Sequence, residues 1–295
     1  MVNIEYINSP NEDHCEGVIW VPKTNEVVWV NVFEKPKIII YNLITHEVSS
    51  IPVSGSITSI APMHDNNFIA TIEDGFYLVT RAGDITLKAK AFHLETEELL
   101  NDGRCDSKGR YFCASMDKKM KRPIGKLYQL DLDGEVKVLD ENLTVGNGIA
   151  FSPDETTFYL SDSRKEAIYK YDYDIVSGKI SNRRLFFSTE KIVGRPDGAA
   201  VDNLGNYWST LFEGKSLIQI DNKTGKLISK IGLPVSYPTM CCFGGQKLDK
   251  LYVSTSKRML VNNEIKNEPL AGKTLILNNL GITGSQATMC YNKLL

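Results

Sequence analysis

Four short segments of this 295-residue chain place an oxygen-bearing side chain at the threshold of an apolar run: His14-Cys15-Glu16-Gly17, Asn101-Asp102-Gly103, Gly146-Asn147-Gly148 and Pro196-Asp197-Gly198. The candidate donors are Glu16, Asn101, Asn147 and Asp197, with no sulfur or imidazole among them. An all-oxygen set of this kind selects a hard cation such as Ca²⁺, Mg²⁺ or Mn²⁺ over a thiolate-bound zinc. Two carboxylates nearly neutralise a dication, and the amides add ligands without added repulsion. Four protein donors leave room for water or substrate in a shell of about six to eight. Taken singly, each segment reads first as turn chemistry, because Asn-Gly and Asp-Gly are turn formers. The weight lies in the recurrence, at intervals of about forty to fifty residues. Such spacing requires an architecture that gathers distant residues at one place.

The elements that must position them are strands. Val27-Val28-Trp29-Val30, Phe158-Tyr159-Leu160, Ile168-Tyr169-Lys170-Tyr171 and Leu251-Tyr252-Val253 are β-branched and aromatic. Turn chemistry bounds them at Asp133-Gly134, Ser177-Gly178 and Thr224-Gly225. The longest helix-compatible stretch is short, from about Thr96 to Leu100, so an all-β fold is favoured. The strands also repeat as a unit. Asp106-Ser107-Lys108-Gly109-Arg110-Tyr111-Phe112 and Asp202-Asn203-Leu204-Gly205-Asn206-Tyr207-Trp208 are both an Asp-x-x-Gly turn opening onto an aromatic strand. Unit starts fall near Glu16, Ser59, Asn101, Asn147, Asp197 and Thr239. Six units in 295 residues give about 49 residues each, the size of a propeller blade. The expectation is a six-bladed β-propeller with four antiparallel strands per blade, built as one domain over residues 1–295. Closure as a ring leaves only short, protected edges, and Ile4-Glu5-Tyr6-Ile7 is placed to lend an outer strand to the last blade. In a propeller the innermost strands line the central channel, so the four donors converge at its mouth.

Bulk properties exclude other classes. A net charge of −2 gives no global attraction to nucleic acid or an anionic membrane. The local cluster Lys118, Lys119, Lys121 and Arg122 reads as a solvated loop. No apolar run approaches a membrane span, and Met1-Val2-Asn3-Ile4-Glu5 is not the start of a secretory signal; a cytoplasmic location is expected. The six cysteines (Cys15, Cys105, Cys113, Cys241, Cys242 and Cys290) show no CxxC pair or zinc spacing. Buried free thiols in a reducing compartment are the expectation, with Cys15 and Cys105 as small core fillers. His14 reads as a packing or surface histidine.

The sequence resembles the family of senescence marker protein, or regucalcin, which includes gluconolactonases and the firefly luciferin-regenerating enzyme. The carriers are Glu16-Gly17 with Trp20, Asn101-Asp102-Gly103 with Asp106 and Gly109-Arg110-Tyr111-Phe112, Gly146-Asn147-Gly148 and Tyr171-Asp172-Tyr173-Asp174. They continue through Ile180-Ser181-Asn182-Arg183-Arg184, Pro196-Asp197-Gly198, Cys241-Cys242-Phe243-Gly244-Gly245 and Leu280-Gly281-Ile282-Thr283-Gly284. The resemblance implies a six-bladed propeller that holds one divalent cation, whether Ca²⁺, Zn²⁺, Mn²⁺ or Mg²⁺, and hydrolyses lactones or related small esters. It implies Glu16, Asn147 and Asp197 as metal ligands, Asn101 at the metal or substrate edge, and Asp197 in the catalytic role often given to a general base. A carboxylate on a cation has its own pKa lowered, so Asp197 is read as a ligand that orients the nucleophilic water and accepts its proton at most weakly. The alternative is a non-catalytic calcium-binding or calcium-handling protein of the regucalcin type.

Two positions depart from the family. Lactonase members commonly carry an Arg two residues before the Asn of the third unit; here it is Leu99. The next loop often supplies an acidic substrate contact, whereas Met116-Asp117-Lys118-Lys119-Met120-Lys121-Arg122 is mostly basic, with Asp117 as the one acidic replacement. The metal cradle is kept and the substrate rim altered. The expected substrate is a small lactone or ester more apolar or more anionic than a polyhydroxylated sugar lactone.

Overall fold

The Asp-x-x-Gly segments close hairpins with their own side chains. The Asp106 carboxylate accepts the Arg110 amide at 2.9 Å, and Asp202 accepts the Asn206 amide at 2.9 Å. Gly109 and Gly205 supply the left-handed backbone, at φ 89° and 87°, that such a turn needs. Repetition of this unit yields, in the computed structural model, six four-stranded antiparallel sheets, with residues 2–93, 96–285 and 288–290 described. The chain is a six-bladed β-propeller. The innermost strands are Cys15–Val21, Ile57–Pro62, Glu98–Cys105, Gly146–Phe151, Arg195–Val201 and Pro238–Gly244, at the six expected unit starts.

The last blade combines Pro238–Gly244, Lys250–Thr255 and Leu275–Asn278 with the N-terminal strand Asn3–Tyr6, which pairs antiparallel with Leu275–Asn278. The ring is therefore closed by strands from both ends of the chain. Its core is divided among the blade interfaces. Val28 and Ile40 of the first blade pack with Phe68 and Ile72 of the second; at the closure, Trp20 and Trp29 of the first blade pack with Met240 and Tyr252 of the sixth. The closing interface is thus as apolar as the others, and burial at about 25 cal/mol per Å² makes each a substantial contribution.

Every innermost strand is bulged near its start. The pairing register shifts between Glu16 and Ile19, Ile57 and Ser59, Leu100 and Gly103, Asn147 and Ala150, Pro196 and Ala199, and Pro238 and Cys241. The Glu-Gly, Asn-Gly and Asp-Gly pairs are therefore bulges inside strands and not turns between them. A bulge breaks the alternation of a strand and re-aims one side chain, which here points polar groups into the channel from otherwise apolar strands.

Two expectations are corrected. Glu98–Leu100 begins an innermost strand, and the short helix of the chain lies at Asn262–Asn267. Strand pairing in the ring overrides the helical preference of Glu98, Leu99 and Leu100. The cysteines are not all free: Cys105 and Cys290 form a disulfide with Cα atoms 5.8 Å apart, while Cys15, Cys113, Cys241 and Cys242 are free and buried. The bonded pair is separated by 185 residues, and only ring closure brings them together, so no local spacing announces the bond. With one bridge formed, the cysteines no longer point to a reducing compartment. No helix among the described residues is long and apolar enough to cross a membrane.

Candidate functional site

A chamber of about 250 Å³ opens at the channel mouth, and Glu16, Leu99, Asn101, Asn147 and Asp197 all line it. Asp117 does not. Its side chain is inaccessible, and its carboxylate accepts Arg122 Nη2 at 2.9 Å and the Lys121 and Arg122 amides at 3.0 and 2.9 Å. The Arg122 guanidinium, then those amides, hold that carboxyl well below the usual carboxylate range. Asp117 thus organises the basic loop. Lys119 and Arg122 also pair with Glu97.

The floor of the chamber is a polar relay across three blades. Asn101 Nδ2 donates to Asn147 Oδ1 at 3.0 Å and to the Gly146 carbonyl at 2.9 Å. Asn147 Nδ2 donates to Ser163 Oγ at 2.9 Å, and that hydroxyl donates to the Pro196 carbonyl at 2.6 Å. Asn101 therefore fixes which face of the Asn147 amide is oxygen, and Ser163 ties that amide to the backbone just before Asp197. Beneath them Asp102 is buried and accepts the Ile149 amide at 2.7 Å.

Charge at this floor is compensated only at longer range, by Arg195 toward Asp197 and by Arg104 toward Asp102. Among the described residues neither Glu16 nor Asp197 forms a salt bridge with a lysine or arginine; His14 Nε2 is 3.8 Å from Glu16. Burial pushes the Glu16 carboxyl well up, with the charges of Asp197 and Asp102 adding to the effect. Burial and then the charge of Asp102 push Asp197 well up. Burial raises Asp102 to about 6. His14, desolvated against the chamber wall, is lowered to about 4 and is neutral, with Nδ1 2.8 Å from Ser256 Oγ. Among the described residues no three His, Cys, Asp or Glu side chains converge as a ligand cluster; the carboxylates of Glu16 and Asp197, whose charges interact, and the Asn147 amide line one chamber. Buried carboxylates that repel one another, beside an oriented amide, fit a hard dication.

The walls differ from the floor. Leu99, Met116, Met120 and Val145 form one side. Opposite them are Phe33 and Phe212, with Arg258 4.3 Å from the first ring centroid and Arg195 5.9 Å from the second. Arg258 and Arg195 are committed to Asp13 (2.7 Å) and Glu213 (2.9 Å). Arg164, also on the wall, has no carboxylate partner among the described residues. Sequence reasoning missed Ser163, Arg164 and Asp102 as site residues, and placed His14 in packing or on the surface; only Asp102, inside the recurrent Asn-Asp-Gly segment, carried a local signal.

A family model described as the SMP-30/gluconolactonase/LRE-like region matches residues 14–257. The chain belongs to this family. It is 30% identical to regucalcin of Sus scrofa over 278 residues, 92% of this chain and 93% of that protein. Among solved structures, a luciferin-regenerating enzyme superposes with a TM-score of 0.92 at 26% identity, covering 99% of this chain and 100% of that one. A calcium-binding protein, regucalcin, from Agrobacterium tumefaciens gives 0.89 at 23% identity, covering 97% and 96%, which speaks to the fold alone.

The raised carboxyls set a pH dependence. A carboxyl whose folded pKa exceeds its unfolded value holds a proton that the unfolded chain releases, so its stabilisation is present at low pH and is lost as pH rises through the folded value. Buried neutral His14 gives the opposite slope, but only between about 4 and 6.5. Above pH 6.5 the His14 contribution has ended and the raised carboxyls of Glu16 and Asp197 set the sign. Metal-stripped protein is expected to lose stability as pH rises above about 6.5 and through the raised values of these two carboxyls. Added dication is expected to flatten the slope. Thermal melts across that range check it; a metal-free protein that gains stability with pH sinks the reading.

Proposed function

We propose that the protein is a divalent-cation-dependent hydrolase of lactones or related small esters, with the chamber at the channel mouth as its active site. The observation that carries this is the pairing of an acidic floor, without a lysine or arginine ion pair among the described residues, with an apolar, substrate-sized chamber above it. Ion storage needs the floor alone. Family membership supports the same class, since the family includes gluconolactonases.

Glu16, Asn147 and Asp197 would hold the cation, which when bound polarises an ester carbonyl and lowers the pKa of water. Asn101 and Ser163 keep the Asn147 amide in one orientation, so no reorganisation is needed at the moment of reaction. Asp197, without a lysine or arginine ion pair among the described residues, orients the attacking water and takes its proton weakly. Phe33 and Phe212 face Leu99 and Met116 across the chamber, excluding water from an apolar substrate body. Arg164, without a carboxylate partner among the described residues, is placed to receive an anionic substituent. The preferred substrate is therefore a lactone or ester with an apolar body and a negatively charged group.

The deciding experiment adds Ca²⁺, Zn²⁺, Mn²⁺ and Mg²⁺ back to metal-stripped protein and assays a panel of lactones and esters. Cation-restored turnover, abolished by Asp197→Ala, supports the hydrolase. Tight Ca²⁺ binding with no turnover on any member assigns calcium handling instead. The altered wall makes a further prediction: Leu99→Arg is expected to raise kcat/KM on gluconolactone-like substrates by about tenfold, the value of one good charged hydrogen bond, and to lower it on apolar lactones. An unchanged or reduced value on the sugar lactone counts against the specificity reading.

A further inference from the structure

A second cavity, of about 720 Å³, lies at the opposite end of the channel. Its walls are the far ends of the innermost strands, around Ala150–Ser152, Ala200–Val201 and Cys242–Phe243. These positions follow Asn147 and Asp197 along strands that rise about 3.3 Å per residue, so the two cavities occupy opposite mouths. The C-terminal segment roofs this one. Thr283 O accepts the Asn203 amide at 2.9 Å, Ser285 N donates to Val201 O at 3.2 Å, and Thr288 Oγ1 donates to Cys105 O at 2.6 Å. The Cys105–Cys290 disulfide ties Cys290 to the third blade.

Arg104 lines this cavity. One Nη2 hydrogen bond, to Ala199 O at 2.8 Å, reaches across from the third blade to the fifth. Its Nε is buried and has no acceptor among the described residues; no carboxylate among them lies within salt-bridge distance of the guanidinium, and Asp102 acts on it only at longer range. The carboxylate of Glu155, also on the wall, is engaged by the Ser107 amide at 2.7 Å and by the Ser107 hydroxyl. A guanidinium with an orphaned buried donor is costly, and its planar fork matches two oxygens of one anion.

We propose that this distal cavity binds a small oxyanion, a phosphate or a carboxylate, on Arg104. The site is separate from the acidic chamber and independent of whether that chamber hydrolyses esters. The test titrates inorganic phosphate and malonate, each at constant ionic strength, into full-length protein freed of bound cations, with binding followed by calorimetry. Saturable binding of either anion is expected, weakened by about tenfold or more in Arg104→Gln and unchanged in Lys226→Gln, an exposed lysine away from both cavities. Whichever anion binds more tightly identifies the ligand as phosphate-type or carboxylate-type. Asn203 is exposed and on the cavity wall, so Asn203→Glu introduces a repelling charge without disturbing the core and is expected to weaken binding similarly. It decides the matter should Arg104→Gln fail to fold. Absence of saturable binding to both anions overturns the proposal. So does binding unweakened in Arg104→Gln or weakened as much in Lys226→Gln, or binding untouched by Asn203→Glu.

Discussion

Asp197→Asn is expected to lower cation-restored turnover by on the order of 10³-fold, comparable to loss of a group that stabilises the transition-state charge, while stabilising the metal-free protein. The two effects have one cause. The carboxylate is buried, near Asp102 and Glu16, and without a basic partner in salt-bridge contact among the described residues, so in the absence of a cation it is a source of repulsion. Its amide isostere removes the charge and keeps the shape. A gain of about 1–2 kcal/mol is expected, the size typical when a strained functional group is relieved, or roughly 3 °C in a chain of this length. Lactone hydrolysis with cation added back, together with melts of stripped protein, measures both. Turnover within tenfold of the parent, or a metal-free variant less stable than the parent, would falsify the assignment of Asp197 as a cation ligand.

The same residues show what a sequence can and cannot disclose. The ring is legible because its cause is local. Asp106 and Asp202 close similar hairpins through their own carboxylates, and that chemistry recurs along the chain. The donor positions are legible for a related reason, since a polar residue followed by glycine recurs where innermost strands bulge. In sequence the pair reads as a turn, because a glycine serves turn and bulge alike, left-handed at Gly17 and Gly148. What is illegible depends on long-range closure. Ser163 matters only because Asn147 and the Pro196 carbonyl meet its hydroxyl. Cys105 and Cys290 meet only after the ring is complete. Asp117 looks available as an acidic substrate contact until the following loop folds back and Arg122 occupies it. Side-chain commitment of this kind is a property of the assembled loop.

Gly148→Ala is expected to cost about 2–5 kcal/mol and to weaken cation binding with it. Gly148 has φ 60°, where an L-residue is disfavoured by about 1–2 kcal/mol. A methyl group there would collide with the hydroxyl oxygens of Ser161 and Tyr207 and approach the Asp197 carbonyl to 3.0 Å; overpacking of this kind adds about 1–3 kcal/mol. Tyr207 also donates to the Gly148 carbonyl at 2.7 Å, so relief of the clash must move either the bulge that aims Asn147 or the strand that carries Asp197. Gly134 separates the two contributions. It is also left-handed, at φ 85°, but a Cβ there meets nothing within 4 Å. Gly134→Ala is therefore expected to cost about 1 kcal/mol and to leave cation affinity unchanged. Chemical denaturation and cation titration of both variants measure the difference. Equal costs at the two positions would mean that backbone conformation alone explains the glycine after Asn147, and that the close packing of the bulge against the fifth blade has no part in holding the site.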